Sequence, residues 1–388
     1  MSIAINDFYE VDALYSQDER MIRDSVREFV RSEMLPHVGD WWLEGVFPTD
    51  LARRFGAIGA LGVTLPEEYG GAGASYSAYG LICREIEYAD SGLRSFVSVQ
   101  SSLVMYPIHA YASDALKREW LPRLASGEVV GCFGLTEPDA GSDPGSMSTR
   151  CRKVGDEYVI TGVKRWITSG SRAQVAIVWA KDDDSGKVLG FVVETDRDGF
   201  SAVDIKTKAS MRASVTSELY LDEVVVPAAN RLDVVGLKGA LSCLNQARFG
   251  IAFGVLGAAQ ACFDEATAYV ADRPVFGQPL ASKQIVQAHL ADMLSEITKG
   301  SLLAYRLGRL KEEGKDHPAR VSLAKRDNVR SALDVARRAR DLLGGNGITT
   351  EYGAIRHMLN LETVATYEGT DTVHTLVLGR EITGLNAF

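Results

Sequence analysis

The sequence predicts a multi-domain protein of mixed α and β class. A helical domain is expected at 1–127, a β-barrel-like domain at 128–232 and a four-helix bundle at 233–388. Apolar residues recur first at helical spacing, then in short alternating runs between turn residues. Long helical stretches with short breaks end the chain. Its 388 residues are enough for three domains with buried cores.

The N-terminal helices are predicted from capping signals and apolar spacing. A capping box beginning at Ser16 starts the first helix. Thr49 is expected to cap the second helix, which ends near residue 61. A third helix is predicted at 77–88, and more helix runs from about 94 to 124.

The middle of the chain predicts strands, and the last third predicts long helices. The strands are expected at 129–135, 158–167, 175–180, 188–194 and 218–226. Because no helical pattern separates them, a doubly wound sheet is excluded. The bundle helices are expected at 239–272, 282–313, 318–343 and 351–365. The first of them is rich in Gly and Ala, which permits close helix packing.

Composition excludes several classes of function. The net charge is −9 with both signs interspersed, which argues against nucleic-acid binding. No apolar run reaches the length of a membrane span, and residues 1–15 resemble neither a signal nor a transit peptide. We therefore expect a cytoplasmic protein whose five scattered cysteines are reduced. The histidines lack metal-ligand spacing, so no metal site is predicted.

Glu368 lies where one predicted helix, 356–364, ends and another, 374–382, begins. The following Gly369 permits a sharp turn, which would let the carboxylate enter a cavity. Taken alone, an exposed charge at a helix end is the commoner interpretation.

The stretch 132–143 runs from a strand into a loop of small and hydroxyl-bearing residues. Such a loop could cradle a pyrophosphate through its backbone N–H groups, although composition alone equally allows a polar surface loop. Trp166 lies on a predicted strand and, by frequency alone, is more often a core residue. The glycines near 71 and 344–347 fit no dinucleotide-binding fingerprint.

Five motifs, in order, resemble the acyl-CoA dehydrogenase family over essentially the whole chain. They are Phe133-Gly-Leu-Thr-Glu-Pro-Asp-Ala-Gly-Ser-Asp143, Trp166-Ile-Thr168, Arg273 with Phe276-Gly277, Leu343-Gly-Gly-Asn-Gly347 and Tyr367-Glu-Gly-Thr370. The resemblance implies an α/β/α architecture, FAD as the cofactor and a homotetramer in which subunits share the FAD.

The resemblance also implies which residues bind FAD. Trp166 matches the aromatic residue against the flavin face, and Thr168 matches the hydroxyl near flavin N5. Arg273, Phe276 and Gln284 match residues that reach the FAD of a neighbouring subunit. The full set of implied cofactor contacts is Phe133, Leu135, Thr136, Ser142, Trp166, Thr168, Arg273, Phe276, Gln284, Gly345, Thr370 and Thr372.

Glu368 matches the catalytic base of the family. Some members carry the base on a bundle helix instead, and that position is Ala247 here. An α-proton beside a thioester is weakly acidic, so its removal needs a close, desolvated carboxylate. Ser142 matches a substrate contact, and Asn245 and Arg248 match positions near the pantetheine. These last two are equally explained as interhelical hydrogen bonds.

Within the family, the chain most resembles the glutaryl-CoA dehydrogenases, through 87–105 and its last six residues. Arg94 matches the clamp for the substrate's distal carboxylate, and Glu87 and Ser95 match its partners. Tyr367 is expected to line the pocket. The implied reaction is oxidation of glutaryl-CoA and decarboxylation to crotonyl-CoA, with an electron-transferring flavoprotein as acceptor. Without the resemblance, Arg94 would be interpreted as a salt bridge at a helix start.

Three departures and several alternatives accompany this hypothesis. Asp371-Thr372 replaces a usual His-Asp, Ser169 a usual Asn, and Leu93 a Tyr found in relatives. The Asp371 charge is expected to affect FAD contacts. The alternatives are a dehydrogenase for another short acyl-CoA, a non-decarboxylating glutaryl-CoA dehydrogenase, an oxidase that reduces oxygen, and a helical scaffold without activity.

Overall fold

The computed structural model describes residues 4–387 of the chain. The helices are α1 Gln17–Phe29, α2 Val38–Glu44, α3 Leu51–Ala57, α4 Tyr76–Ala89, α5 Ser91–Ser98, α6 Tyr106–Tyr111, α7 Asp114–Ala125, α8 Lys238–Asp272, α9 Gln284–Glu312, α10 Pro318–Leu342, α11 Gly353–Thr366 and α12 Asp371–Thr383. The strands are β1 Gly131–Gly134, β2 Arg150–Val154, β3 Glu157–Thr168, β4 Val175–Asp182, β5 Val188–Glu194, β6 Phe200–Asp204, β7 Thr216–Pro227, β8 Arg231–Val235, β9 Pro274–Val275 and β10 Gln278–Pro279. The predicted order of helices, sheet and helices is confirmed.

The first helix begins as predicted. The Ser16 hydroxyl accepts a hydrogen bond from the Glu19 N–H at 3.2 Å, and the Glu19 carboxylate accepts one from the Ser16 N–H at 2.8 Å. Both orphan donors of the helix start are thereby satisfied. The predicted cap at Thr49 is wrong. Helix α3 begins after Asp50 without a side-chain cap, and it ends at Ala57, well before the expected residue 61.

The helix expected from 94 to 124 is a series of shorter pieces. A wider π-helical segment, Val99–Met105, separates α5 from α6. An extended Ala112 then ends α6, and Ser113 caps α7 by accepting a hydrogen bond from the Leu116 N–H at 3.4 Å. The capping bond of Ser113 therefore begins a new helix within the stretch that apolar spacing alone predicted as continuous helix.

Eight strands form one sheet, in the order β6-β7-β3-β2-β4-β5-β8, and β1 pairs parallel to β4 outside this order. The sequence did not predict β2, β6 or β8. In β2, Cys151 is the sole buried residue among charged neighbours, so apolar alternation is absent. Strand β6 buries none of its five residues fully, and its backbone pairs along β7. These strands therefore form because they pair with neighbouring strands, although their own sequences show little apolar alternation.

Helix α8 is the central element of the C-terminal region and packs against both α4 and α10. A side chain at Gly257 would overlap the Arg84 carbonyl of α4, and one at Gly254 would overlap the Glu87 carboxylate. The glycines therefore permit the close helix approach that the sequence predicted. In residues 4–387, no helix is long and apolar enough to cross a membrane.

Candidate active site

Glu368 lies in the short joint between α11 and α12. Its backbone is left-handed, with φ 51°, and Gly369 follows at φ 92°. Thr370 caps α12, because its hydroxyl accepts a hydrogen bond from the Val373 N–H at 3.1 Å. A left-handed conformation costs about 1–2 kcal/mol for a residue other than glycine, so surrounding contacts must hold Glu368 in it.

Two cations on neighbouring helices hold this joint by its backbone. The Arg248 Nε of α8 donates to the Glu368 carbonyl at 2.6 Å. The Lys325 Nζ of α10 donates to the Tyr367 carbonyl at 3.0 Å and to the Gly369 carbonyl at 2.7 Å. Three consecutive carbonyls therefore accept hydrogen bonds from basic side chains, and such bonds are roughly twice as strong when the donor is charged.

The Glu368 carboxylate is desolvated. Its Oε2 atom is buried and has no hydrogen-bond partner among residues 4–387. Burial raises the pKa of the Glu368 carboxyl, while Arg94, Arg248 and Lys325 act to lower it. A poorly solvated carboxylate that nearby cations keep ionisable has the properties of a general base.

Arg94 is fully buried, and its charge acts on the Glu368 carboxyl. Its Nε donates to the Glu87 Oε2 at 2.5 Å, and its Nη2 donates to the Tyr367 hydroxyl at 2.5 Å. Within the described part of the chain, Nη1 is buried without a partner. Burial acts to lower the pKa of Arg94, but the Glu87 carboxylate raises it well above its ordinary value. The guanidinium therefore stays charged and keeps a donor free for a ligand.

Two of the three residues expected near Arg94 contact its guanidinium. Glu87, from α4, and Tyr367 both contact the guanidinium. Ser95 follows Arg94 in α5 and is 2% exposed, but across residues 4–387 it makes no hydrogen bond to Arg94 or Glu87.

On α8, Asn245 is half-buried, with its Oδ1 unpaired among the described residues, and lies one turn before Arg248. Its free acceptor suits a substrate amide N–H.

The loop after β1 is anchored by a buried ion pair. Lys164 Nζ donates to Glu137 Oε1 at 2.8 Å and to the Leu135 carbonyl at 3.2 Å. The Arg165 N–H donates to the Thr136 carbonyl at 2.8 Å. Phe133 and Leu135 are buried, Thr136 is half-buried and Ser142 is exposed. The loop is therefore fixed to β3 by these bonds, while the hydroxyl-bearing Thr136 and Ser142 keep access to solvent.

Trp166 is not a core residue. It is 53% exposed and has φ 65°, at an irregularity of β3 between Lys164 and Ile167. The Arg165 guanidinium lies 5.0 Å from its ring centroid. Thr168, two residues further, ends β3 half-buried. An exposed aromatic plane beside a hydroxyl and the loop 133–143 fits a planar flavin ring.

Of the remaining expected cofactor residues, Thr370 is half-buried and caps α12, and the others are exposed. Phe276, in the turn between β9 and β10, is 94% exposed with φ 52°. The others that are exposed are Arg273, Gln284, Gly345 and Thr372. Asp371 accepts two hydrogen bonds from Arg330, at 2.5 and 2.6 Å, which lower the pKa of its carboxyl. Its charge is thus paired within the chain.

Lys325 was not among the residues predicted from the sequence. Its side chain is 1% exposed, and it lies on the buried face of α10 with Ser322 and Asn328 at steps of three residues. A lysine on the apolar face of an amphipathic helix is rare, because burying an unpaired ammonium is costly. That position in the helical pattern was the available signal.

Comparison with known proteins gives matches along nearly the whole chain. Three family models match in order: the acyl-CoA dehydrogenase N-terminal domain at residues 16–128, the middle domain at 132–224 and the C-terminal domain at 235–383. The mouse mitochondrial short-chain specific acyl-CoA dehydrogenase is 33% identical over 97% of this chain and 94% of its own length.

Two solved structures are similar over their full length. The glutaryl-CoA dehydrogenase from Mycobacterium smegmatis is 51% identical, with a TM-score of 0.97 and complete coverage of both chains. A glutaryl-CoA dehydrogenase from the same organism in complex with FADH2 is 49% identical, also with a TM-score of 0.97 and complete coverage. The chain therefore belongs to the acyl-CoA dehydrogenase family, and its cofactor is FAD.

Proposed function

We propose that the protein is a glutaryl-CoA dehydrogenase that oxidises glutaryl-CoA and decarboxylates the product to crotonyl-CoA and carbon dioxide. One observation carries the proposal. The buried Arg94 has no partner for its Nη1 among residues 4–387, while Tyr367, next to the base Glu368, contacts the same guanidinium. A guanidinium whose charge acts on a desolvated carboxylate suits a substrate with an acidic α-carbon and a distal carboxylate.

Glu368 takes the α-proton of the thioester in this proposal. Its Oε2 is unpaired within residues 4–387 and is therefore free to receive a proton. The backbone bonds from Arg248 and Lys325 fix its position, so little reorganisation is needed at the moment of transfer. FAD, when bound, accepts a hydride from the β-carbon. Trp166, Thr168 and the loop 133–143 would hold the flavin.

Arg94 binds the distal carboxylate. The guanidinium has five N–H donors, and Glu87 with Tyr367 occupies those on Nε and Nη2. The donors on Nη1 are left for the substrate. After oxidation, the carboxylate leaves as carbon dioxide and its electron pair forms a dienolate. Protonation of that dienolate by Glu368 gives crotonyl-CoA and restores the base.

The coenzyme A portion is expected to contact Asn245, Arg248 and Ser142. The unpaired Asn245 Oδ1 supports this, because it offers an acceptor to a pantetheine amide. The exposure of Phe276 and Arg273 supports FAD binding across subunits of a homotetramer. An electron-transferring flavoprotein is the expected acceptor, as the family resemblance implies.

A second candidate is a dehydrogenase for an uncharged short-chain acyl-CoA. The side chains of Glu87 and Arg94 are both fully buried, so this pair could serve the packing of α4 against α5 without binding substrate. The mouse relative, named as short-chain specific, favours the same alternative.

Steady-state kinetics with glutaryl-CoA and butyryl-CoA separates the two candidates. We expect kcat/KM to be higher for glutaryl-CoA in the wild-type protein. In Arg94→Ala, it should fall about 100-fold or more relative to butyryl-CoA, because a charged hydrogen bond is lost. Glu362→Gln, at an exposed position of α11, is the control. Equal losses for both substrates would remove the clamp role from Arg94.

A further inference from the structure

The proposed chemistry uses the backbone hydrogen bonds of Lys325 but gives its charge no role. Its Nζ lies beneath the joint between α11 and α12 and donates to the two carbonyls that flank Glu368, those of Tyr367 and Gly369. No other described side chain bonds both sides of the base. The ammonium is therefore placed to fix the backbone on either side of the carboxylate it faces.

The charged and titratable groups around Lys325 come from four elements. Glu368 and Asp371 favour its ammonium form, whereas Arg248 of α8 and Arg94 of α5 oppose it. From α12, His374 contacts Ser322, one turn before Lys325, at 3.0 Å through Nδ1. Burial lowers the pKa of His374 to about 3, so the imidazole is neutral at working pH. Glu368 is the anion that Lys325 shares with Arg248 and Arg94.

An uncharged residue could have satisfied the same kind of backbone acceptors. One turn along α10, the Asn328 Nδ2 donates to the Ala252 carbonyl at 2.7 Å and the Gly300 carbonyl at 3.3 Å without carrying a charge. Burial lowers the pKa of Lys325 to about 7, which still leaves it protonated in mildly acidic solution. A buried charge is costly, so its retention beside the base points to a role in catalysis.

We propose that Lys325 is a positioning residue for the base: its ammonium holds the joint at Tyr367 and Gly369 and stabilises the carboxylate form of Glu368. This inference rests on the proposed role of Glu368 as the base. It adds α10 to the site, because the base is then supported by α8 and α10 as well as by α11 and α12, the helices that flank it.

The test is the pH dependence of kcat/KM in Lys325→Met, measured with whichever of glutaryl-CoA and butyryl-CoA the wild type oxidises faster. Removing the ammonium raises the pKa of Glu368, so the acid limb of the profile should move up by about one pH unit. kcat at the optimum should also fall at least about tenfold. Lys325→Arg keeps the charge and should leave the acid limb at its wild-type position.

Lys311→Met is the matched control. Lys311 is also buried, in α9, and its Nζ donates to Asp316 at 2.8 Å, away from the joint. We expect its acid limb to equal that of the wild type. If Lys325→Met does not fold as a flavoprotein, Lys325→Gln replaces it, since Gln keeps donors but lacks the charge.

An unshifted acid limb in the neutral variant, or an equal shift in Lys325→Arg or Lys311→Met, would overturn the role of Lys325. Failure of the proposed base is seen separately. If Glu368→Gln keeps wild-type turnover, Glu368 is not the base, whatever the Lys325 variants show. If Glu368→Gln is inactive and the Lys325 profiles are unchanged, the positioning role fails alone.

Discussion

The Asp90 carboxylate, at the start of the helix that carries Arg94, accepts a hydrogen bond of 2.7 Å from Asn360, in the helix that leads to Glu368. Asp90 also accepts one from Arg356 at 2.7 Å and one from the Gly92 N–H at 2.6 Å. It is fully buried. One carboxylate thus ties the proposed clamp helix to the helix of the proposed base.

Replacing Asp90 with Asn should destabilise the protein. Asp90 Oδ1 accepts from the Gly92 N–H and Oδ2 accepts from both Arg356 and Asn360, so an amide NH2 in place of either oxygen leaves at least one buried donor without an acceptor. We expect the free energy of unfolding to fall by about 2–4 kcal/mol, measured by urea denaturation. Asp50→Asn, at the start of α3 with no side-chain cap, should change it by less than about 0.5 kcal/mol. Equal effects would mean that the Asp90 network is not a stabilising link.

Gly254→Ala should disturb the ion pair of Glu87 with Arg94, the proposed clamp for the substrate carboxylate. An added methyl would overlap Glu87 Oε2 and lie 3.0 Å from Arg94 Nε. Since both side chains are fully buried, we expect a loss of about 1–3 kcal/mol in unfolding free energy. We also expect a larger fall in kcat/KM for glutaryl-CoA than for butyryl-CoA. Gly39→Ala, in α2 with open space around it, is the control. Unchanged substrate preference would count against the pair as a specificity element.

Glu368→Gln should abolish most turnover while leaving the fold and the bound flavin intact. Glutamine has nearly the same shape but cannot take a proton at the working pH. We expect kcat to fall by about 10²–10⁴-fold, with the visible flavin spectrum of the purified protein unchanged. Glu362→Gln, six residues earlier on exposed surface, should retain full activity. Turnover within a few-fold of wild type would place the base elsewhere.

The pH profile of the wild type should show an acid limb set by Glu368. Burial raises the pKa of this carboxyl above its ordinary value of 4.5. Activity requires the ionised form, so kcat/KM should be lost as pH falls through the raised pKa, with its half-maximum above pH 4.5. His374, with a pKa of about 3, is neutral throughout that range. A limb centred at or below pH 4.5 would contradict a desolvated base.

Sequence patterns predicted most of the fold because the spacing of apolar residues and the capping residues of many helices can be read directly from the sequence. Ser16 with Glu19 is the clearest case, since both capping bonds form as expected. The predictions failed where the signal was not local. Strand β2 is formed by pairing with β3 and β4 rather than by its own alternation. Helix α3 begins after Asp50 without the side-chain cap that was expected from Thr49.

The same distinction holds for the site. Glu368 and Arg94 were found through motifs, and in the structure Arg94 donates a hydrogen bond to the hydroxyl of Tyr367, the residue before Glu368. Lys325 was missed because its partners are backbone carbonyls 42 and 44 residues away. The exposed orientation of Trp166 was equally hidden, since it depends on a left-handed backbone at an irregular pairing of β3 with β7. Contacts between distant segments determine both.

The most direct measurement is the fate of glutaryl-CoA labelled with ¹³C in its distal carboxyl group, incubated with the purified protein and an artificial electron acceptor. Mass spectrometry should find unlabelled crotonyl-CoA and an equal amount of ¹³CO₂. Labelled glutaconyl-CoA as the end product would contradict the decarboxylation. No turnover of glutaryl-CoA, with butyryl-CoA oxidised in the same assay, would contradict the carboxylate clamp at Arg94.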